Sequence, residues 1–162
     1  MKTAETITIR PLGFVRSPRQ DVRDDDWGDV IARIELFPEF TPESLHGLEE
    51  FSHAEVLYYF DRVAADSVVH GARHPRGNTD WPQVGIFAQR AKDRPNRIGS
   101  TIVEILARAD RALIVRGLDA VDGTPVLDVK PVMVEFLPRT KVRQPAWSHE
   151  LMAAYWRNEE PS

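Results

Sequence analysis

The chain has no cysteine among its 162 residues, which excludes disulfides, thiolate nucleophiles and cysteine-ligated zinc together. It has no apolar run near the eighteen residues of a membrane-spanning helix, and its first six residues, Met-Lys-Thr-Ala-Glu-Thr, lack the apolar centre of a secretory signal. A cytoplasmic protein is therefore expected. There is no G-x-G-x-x-G turn, Walker A lysine loop, G-x-S-x-G elbow or heptad array, so the common nucleotide folds are not indicated. Histidines are few: His46, His53, His70, His74 and His149. His70 and His74 stand four apart, but Gly71 and Pro75 make that stretch a loop rather than a helix face, and no metal site is expected.

What is present suits one globular domain. An apolar content of 42% is ordinary for a chain with a single core, and there is no internal repeat or linker. The net charge is only -4, and much of it comes from residues 21–29, where five aspartates and one arginine carry no apolar stripe. That stretch reads as a solvated loop.

Strand patterns dominate. Residues 6–15 alternate imperfectly and are broken by Pro11. Residues 30–36 alternate cleanly, with Ile31, Arg33 and Glu35 on one face and Val30, Ala32, Ile34 and Leu36 on the other. Residues 54–63 hold a continuous β-rich run, Val56 to Phe60, of a kind covered on both faces. Further strands are expected at 84–88, 101–108, 113–119 and 126–134, the last two separated by the turn Asp122-Gly123-Thr124-Pro125. Residues 65–82 form the longest break. Thr41-Pro42-Glu43 has the grammar of a helix start, ended at once by Gly47, and residues 147–157 read as a short amphipathic helix. Six or seven short strands without a βαβ rhythm predict a mainly β, single-domain barrel with short helices, one of them C-terminal.

Against this acidic background, residues 84–99 reverse the sign: Arg90, Lys92, Arg94 and Arg97, with Arg76 just upstream. Pro95 fixes its own φ and pushes Arg94 to extended geometry, so the basic loop is shaped rather than slack. Three polar clusters, Asp61-Arg62, Arg90 to Arg97 and Asp122 to Pro125, each adjoin an apolar run and fall at strand ends. Meeting in space, they would form one charged rim, with Tyr58, Tyr59, Phe60 and Phe87 as an aromatic wall. Each aromatic reads more readily as core packing, and Asp61 with Arg62 equally as an exposed ion pair. The residues alone support a polar ligand site on a β-barrel without naming a reaction.

Four segments in order carry a resemblance: residues 47–53 (Gly-Leu-Glu-Glu-Phe-Ser-His), 84–90 (Val-Gly-Ile-Phe-Ala-Gln-Arg), 94–99 (Arg-Pro-Asn-Arg-Ile-Gly) and 119–131 (Asp-Ala-Val-Asp-Gly-Thr-Pro-Val-Leu-Asp-Val-Lys-Pro). Together with Gly13-Phe14-Val15-Arg16-Ser17-Pro18 they resemble the TsaA-like family. Its TrmO members use S-adenosylmethionine to methylate N6 of threonylcarbamoyladenosine at position 37 of tRNA. The resemblance covers residues 7–137, taken as the barrel domain, with residues 138–162 as an extension of the same domain.

The resemblance implies a β-barrel methyltransferase acting as a homodimer. By position it implies cofactor contacts at Asp61, Arg62, Arg90, Ser100, Asp122, Gly123, Thr124 and Pro125, and tRNA contacts at Arg73, Arg76, Arg94 and Arg97. Asn96 and His53 are the candidates for a catalytic role, and Arg19 with Gln20 corresponds to a family Pro-Arg-Gln element. Gln89, Lys92, Arg97 and Val132 depart from the residues common in the family. The departures leave two alternatives open: a methyltransferase of a small molecule, and a non-catalytic S-adenosylmethionine-binding regulator.

Overall fold

Clean alternation over residues 30–36 is the pattern of a strand with one wet face, and a strand forms there, with Ala32, Ile34 and Leu36 buried and Ile31 and Arg33 exposed. The computed structural model describes residues 1–158. In chain order its strands are β1 (Gly13–Arg16), β2 (Ile31–Leu36), β3 (His53–Tyr59), β4 (Ala72–Arg73), β5 (Val84–Gly85), β6 (Ile98–Ala109), β7 (Ala112–Arg116) and β8 (Pro125–Pro131). Six of them close a barrel in the order β1-β2-β7-β6-β3-β8, every pairing antiparallel. Closure leaves no sheet edge within the barrel, and the expected mainly β barrel is what the chain builds.

Side chains of alternate residues fill the interior: Val15, Ala32, Ile34, Val56, Val103, Leu113, Val115 and Val126 are at most 1% exposed. At roughly 1.5–3 kcal/mol per buried aliphatic side chain, this filling is the main stabilising contribution. Tyr58 also points inward, and its ring lies against Gly99 on the paired strand. A Cβ at Gly99 would sit 2.5 Å from the Tyr58 ring and 2.9 Å from that of Phe60. Glycine is needed there because the two rings, edge to face at 5.4 Å, occupy the space a side chain would take.

Several expectations are corrected. Residues 6–12 are not a strand: Pro11 has no N–H to give, Ile7 and Ile9 are exposed, and pairing starts at Gly13. Residues 84–88 are not a buried strand either. Two residues form β5 in a small ribbon with β4, and Ile86–Ala88 then turns as a 3-10 helix that buries Ile86 and leaves Phe87 74% exposed. Phe87 therefore belongs to neither core nor aromatic wall. The C-terminal helix α1 (Ala146–Met152) is shorter than expected and continues as turns through Trp156. Among the described residues, no helix is long and apolar enough to cross a membrane.

The registers gather the polar segments. β1, β3 and β7 finish, and β2, β6 and β8 begin, at the same end of the barrel. Residues 17–20, 60–62, 94–97 and 117–124 all lie there.

Candidate active site

The turn before β8 demands a left-handed residue, and Gly123 takes φ +83° at no steric cost. Around it the rim is tied together by backbone groups. The Asp122 N–H donates to the Arg19 carbonyl at 2.8 Å and the Gly123 N–H to that of Val15 at 2.7 Å. The Asp122 carboxylate accepts from the Ser17 N–H at 3.0 Å. Thr124, buried, turns its hydroxyl back onto the Val121 carbonyl at 2.7 Å. Arg62 joins two loops at once, donating to the carbonyls of Gln20 at 2.6 Å and Asp122 at 3.0 Å. The clusters at 61–62 and 122–125 thus meet, with residues 17–20 between them, and Arg62 is the clamp.

Beneath the rim lies a carboxylate that spacing did not single out. Asp119 follows buried Leu118 and precedes buried Ala120, so the chain carries it inward. One oxygen accepts from the Tyr58 hydroxyl at 2.9 Å and from the Thr101 hydroxyl; the other accepts from the Tyr155 hydroxyl. Burial, and then the negative charge of Asp119, push both phenols well above the usual tyrosine range. They remain protonated donors. The sequence signal was a lone acid between apolar residues, which when covered must find donors.

The basic turn is shaped as Pro95 suggested, with Arg94 extended. Pro95–Arg97 is a 3-10 turn in which Asn96 and Arg97 both take positive φ, +64° and +49°. Arg97 donates to the Val63 carbonyl at 2.6 Å and lies 4.9 Å over the Tyr59 ring, while Arg94 donates to the Gln89 carbonyl at 2.6 Å. Arg90 reaches the Ser100 carbonyl at 2.5 Å, and the Ser100 hydroxyl donates to Glu55 at 2.8 Å. Arg90 is also close enough to Tyr58 for its charge to act on the phenol. Arg73 pairs with Asp93 at 2.8 Å, and Arg76 with Asp25 at 3.2 Å and Asp24 at 3.7 Å. These two are already neutralised by carboxylates, whereas Arg94 and Arg97 rest on carbonyls and keep their charge.

His53 and Asn96 do not come together. Asn96 is exposed at the rim just before β6, whereas His53 begins β3 at the opposite end, six residues from Tyr59 and about 20 Å along the strand. The His53 ring contacts the Ser52 hydroxyl at 2.7 Å. His74 contacts the Trp81 carbonyl at 2.7 Å, and among the described residues no cluster of histidine and acidic side chains could hold a metal ion. Beside the rim runs a groove of about 460 Å3 lined by residues including Arg16, Ser17, Ile31, Arg33 and Asp122.

A closed antiparallel barrel with one polar rim assembled from distant segments defines the class. The chain belongs to the family described as the tRNA-methyltransferase O N-terminal domain, whose sequence model matches residues 15–136. It is similar to an S-adenosyl-L-methionine-binding protein of Archaeoglobus fulgidus, 36% identical over 75% of this chain and 86% of the relative. It is also similar to the mouse tRNA (adenine(37)-N6)-methyltransferase, 38% identical over 82% of this chain but 32% of that protein. The crystal structure of TrmO from Pseudomonas aeruginosa superposes with a TM-score of 0.71 at 29% identity, covering 90% of this chain and 63% of that one. The chain thus spans less than two thirds of that TrmO.

Proposed function

We propose that the chain is an S-adenosylmethionine-dependent methyltransferase that modifies N6 of adenosine 37 in tRNA, in its threonylcarbamoylated form. The observation that carries the reading is the convergence of residues 17–20, 61–62, 94–97 and 119–125 on one rim, in a chain of this family.

The donor set fits the cofactor. Asp61 and Asp122 offer carboxylates to ribose hydroxyls or an adenine amino group, and exposed Arg90 offers a guanidinium to the amino-acid carboxylate. Nothing lies within 4 Å of where a Cβ of Gly123 would be, so the turn leaves room for a ligand against Gly123, Thr124 and Pro125. Aromatic faces at Tyr59 and Phe60 and the rim's carbonyls suit a positively charged sulfur. S-Adenosylmethionine supplies an already activated methyl group. The protein's work is then alignment of the accepting nitrogen and exclusion of water, with Arg62 holding the loops and Asn96 placed to orient the substrate's polar group. Arg94 and Arg97 are the better phosphate contacts of the four arginines, because among the described residues they rest on carbonyls rather than on carboxylates.

The reading includes a homodimer. Val134, Phe136 and Val142 after β8 are 77%, 86% and 63% exposed, apolar side chains of the kind a second copy would cover. Light scattering is expected to return twice the chain mass, and a monomer removes this part. One observation favours a small-molecule substrate instead: Arg73 and Arg76 are held by carboxylates and so offer less to RNA. The test uses methyl-deuterated S-adenosylmethionine and tRNA bearing threonylcarbamoyladenosine, read by mass spectrometry of the nucleosides. Label on that nucleoside is expected; cofactor binding without label on any tRNA overturns the tRNA substrate.

A further inference from the structure

The segment after α1 is fastened to the protein at several points, and the most inward of them ends on the loop assigned to the cofactor. The Asp26 and Trp27 N–H groups donate to the carbonyls of Ala154 and Tyr155 at 3.1 and 2.9 Å. Gly28 admits this approach, since a Cβ there would collide with the Trp156 carbonyl. The Tyr155 ring packs on Trp27, Val30 and Val121, and its hydroxyl passes inward to Asp119.

We infer that residues 153–157 are a positioning strap for the loop 119–125, with the Tyr155 hydroxyl as the working contact. This rests on the reading of the rim as the cofactor site. Asp119 opens that loop, and three residues later Asp122 carries the bonds to Ser17, Arg19 and Arg62. A second route runs through Arg19, whose buried guanidinium donates to the Asp25 and Asp26 carbonyls at 2.8 Å each and lies 4.0 Å over the Trp27 ring. Loop 24–27 is the surface on which the strap docks. The routes join the strap to two of the segments that form the rim, 119–125 and 17–20, yet residues 153–157 lie beyond the stretch matched by the family description. Tyr155 acts through Asp119 and is a positioning residue.

Tyr155→Phe keeps the ring packing and removes only the donor. Calorimetry with S-adenosylhomocysteine is expected to show a Kd about tenfold weaker than that of the full wild-type chain. Arg108→Ala, at the opposite end of the barrel, serves as the control for a substitution away from the rim and is expected to leave Kd unchanged. Unchanged affinity in a folded Tyr155→Phe protein overturns the strap and leaves the cofactor reading standing; failure of the wild-type chain to bind overturns both. A second measurement needs no variant. Coupling is reciprocal, so S-adenosylhomocysteine is expected to slow hydrogen exchange of the Asp26 and Trp27 amides about tenfold, and equal rates with and without it overturn the strap even where Tyr155→Phe does not fold.

Discussion

At the end of the barrel where β1, β3 and β7 finish, arginines are turned onto backbone carbonyls and a half-buried carboxylate collects hydroxyls; at the other end charged side chains pair with one another in water. Arg62 and Arg97 each hold main chain from a distant segment, and Asp119 gathers three hydroxyls. At the far end Arg108 grips Glu49 through two bonds of 3.1 and 3.0 Å, Glu49 exposed and Arg108 partly so. An exposed ion pair is worth little because water screens it. A guanidinium across two loops fixes their relative position, and a carboxylate under cover must keep its donors. Fixed polar groups at one end and interchangeable ones at the other are what a binding rim and a plain barrel bottom would show.

The largest expected effect comes from Asp119→Ala, which strands Tyr58, Thr101 and Tyr155 without their shared acceptor. Urea unfolding is expected to show a loss of about 3 kcal/mol, with S-adenosylhomocysteine binding abolished; a loss below about 1 kcal/mol would erase the contrast between the ends. Arg62→Ala comes next. Two rim loops lose their clamp while the core is untouched, so calorimetry is expected to read an affinity about tenfold lower with stability changed by no more than about 1 kcal/mol.

Arg97→Gln is expected to weaken tRNA binding by a few-fold and to lower the slope of log K against log salt by about 1; an unchanged slope removes Arg97 from the substrate path. The smallest effect belongs to Arg108→Ala. The hydrogen bond from Arg108 is the first cause holding the Glu49 carboxyl down to about 2, and without it the NMR titration should move up towards the ordinary carboxylate range. The sign follows: a depressed folded pKa gives stability that is present above the unfolded value of 4.5 and fades as pH falls towards 2. Because Glu49 is exposed, that pH dependence is expected to be shallow, and the variant is expected to bind S-adenosylhomocysteine as the wild type does.

The sequence showed β2 and the barrel class plainly, because Ala32 and Ile34 bury while Ile31 and Arg33 stay wet, a difference that alternation encodes residue by residue. It misjudged residues 84–88 because apolar character alone does not distinguish a strand from a turn that buries Ile86 and exposes Phe87. The meeting of residues 61–62 with 122–125 was legible as strand-end clusters in order. The role of Asp119 was not, since its donors lie 18, 36 and 61 residues away. The separation of His53 from Asn96 was not legible either, since it depends on β3 carrying His53 to the far end.

The contrast between the two ends is tested most directly by titrating the isotope-labelled chain with S-adenosylhomocysteine and following backbone amide shifts. Binding at the rim predicts shifts at residues 17–20, 61–62 and 119–125, with Glu49 and residues 108–111 unmoved. Shifts centred on Glu49 and Arg108, or none anywhere at saturating ligand, would contradict the assignment of the rim.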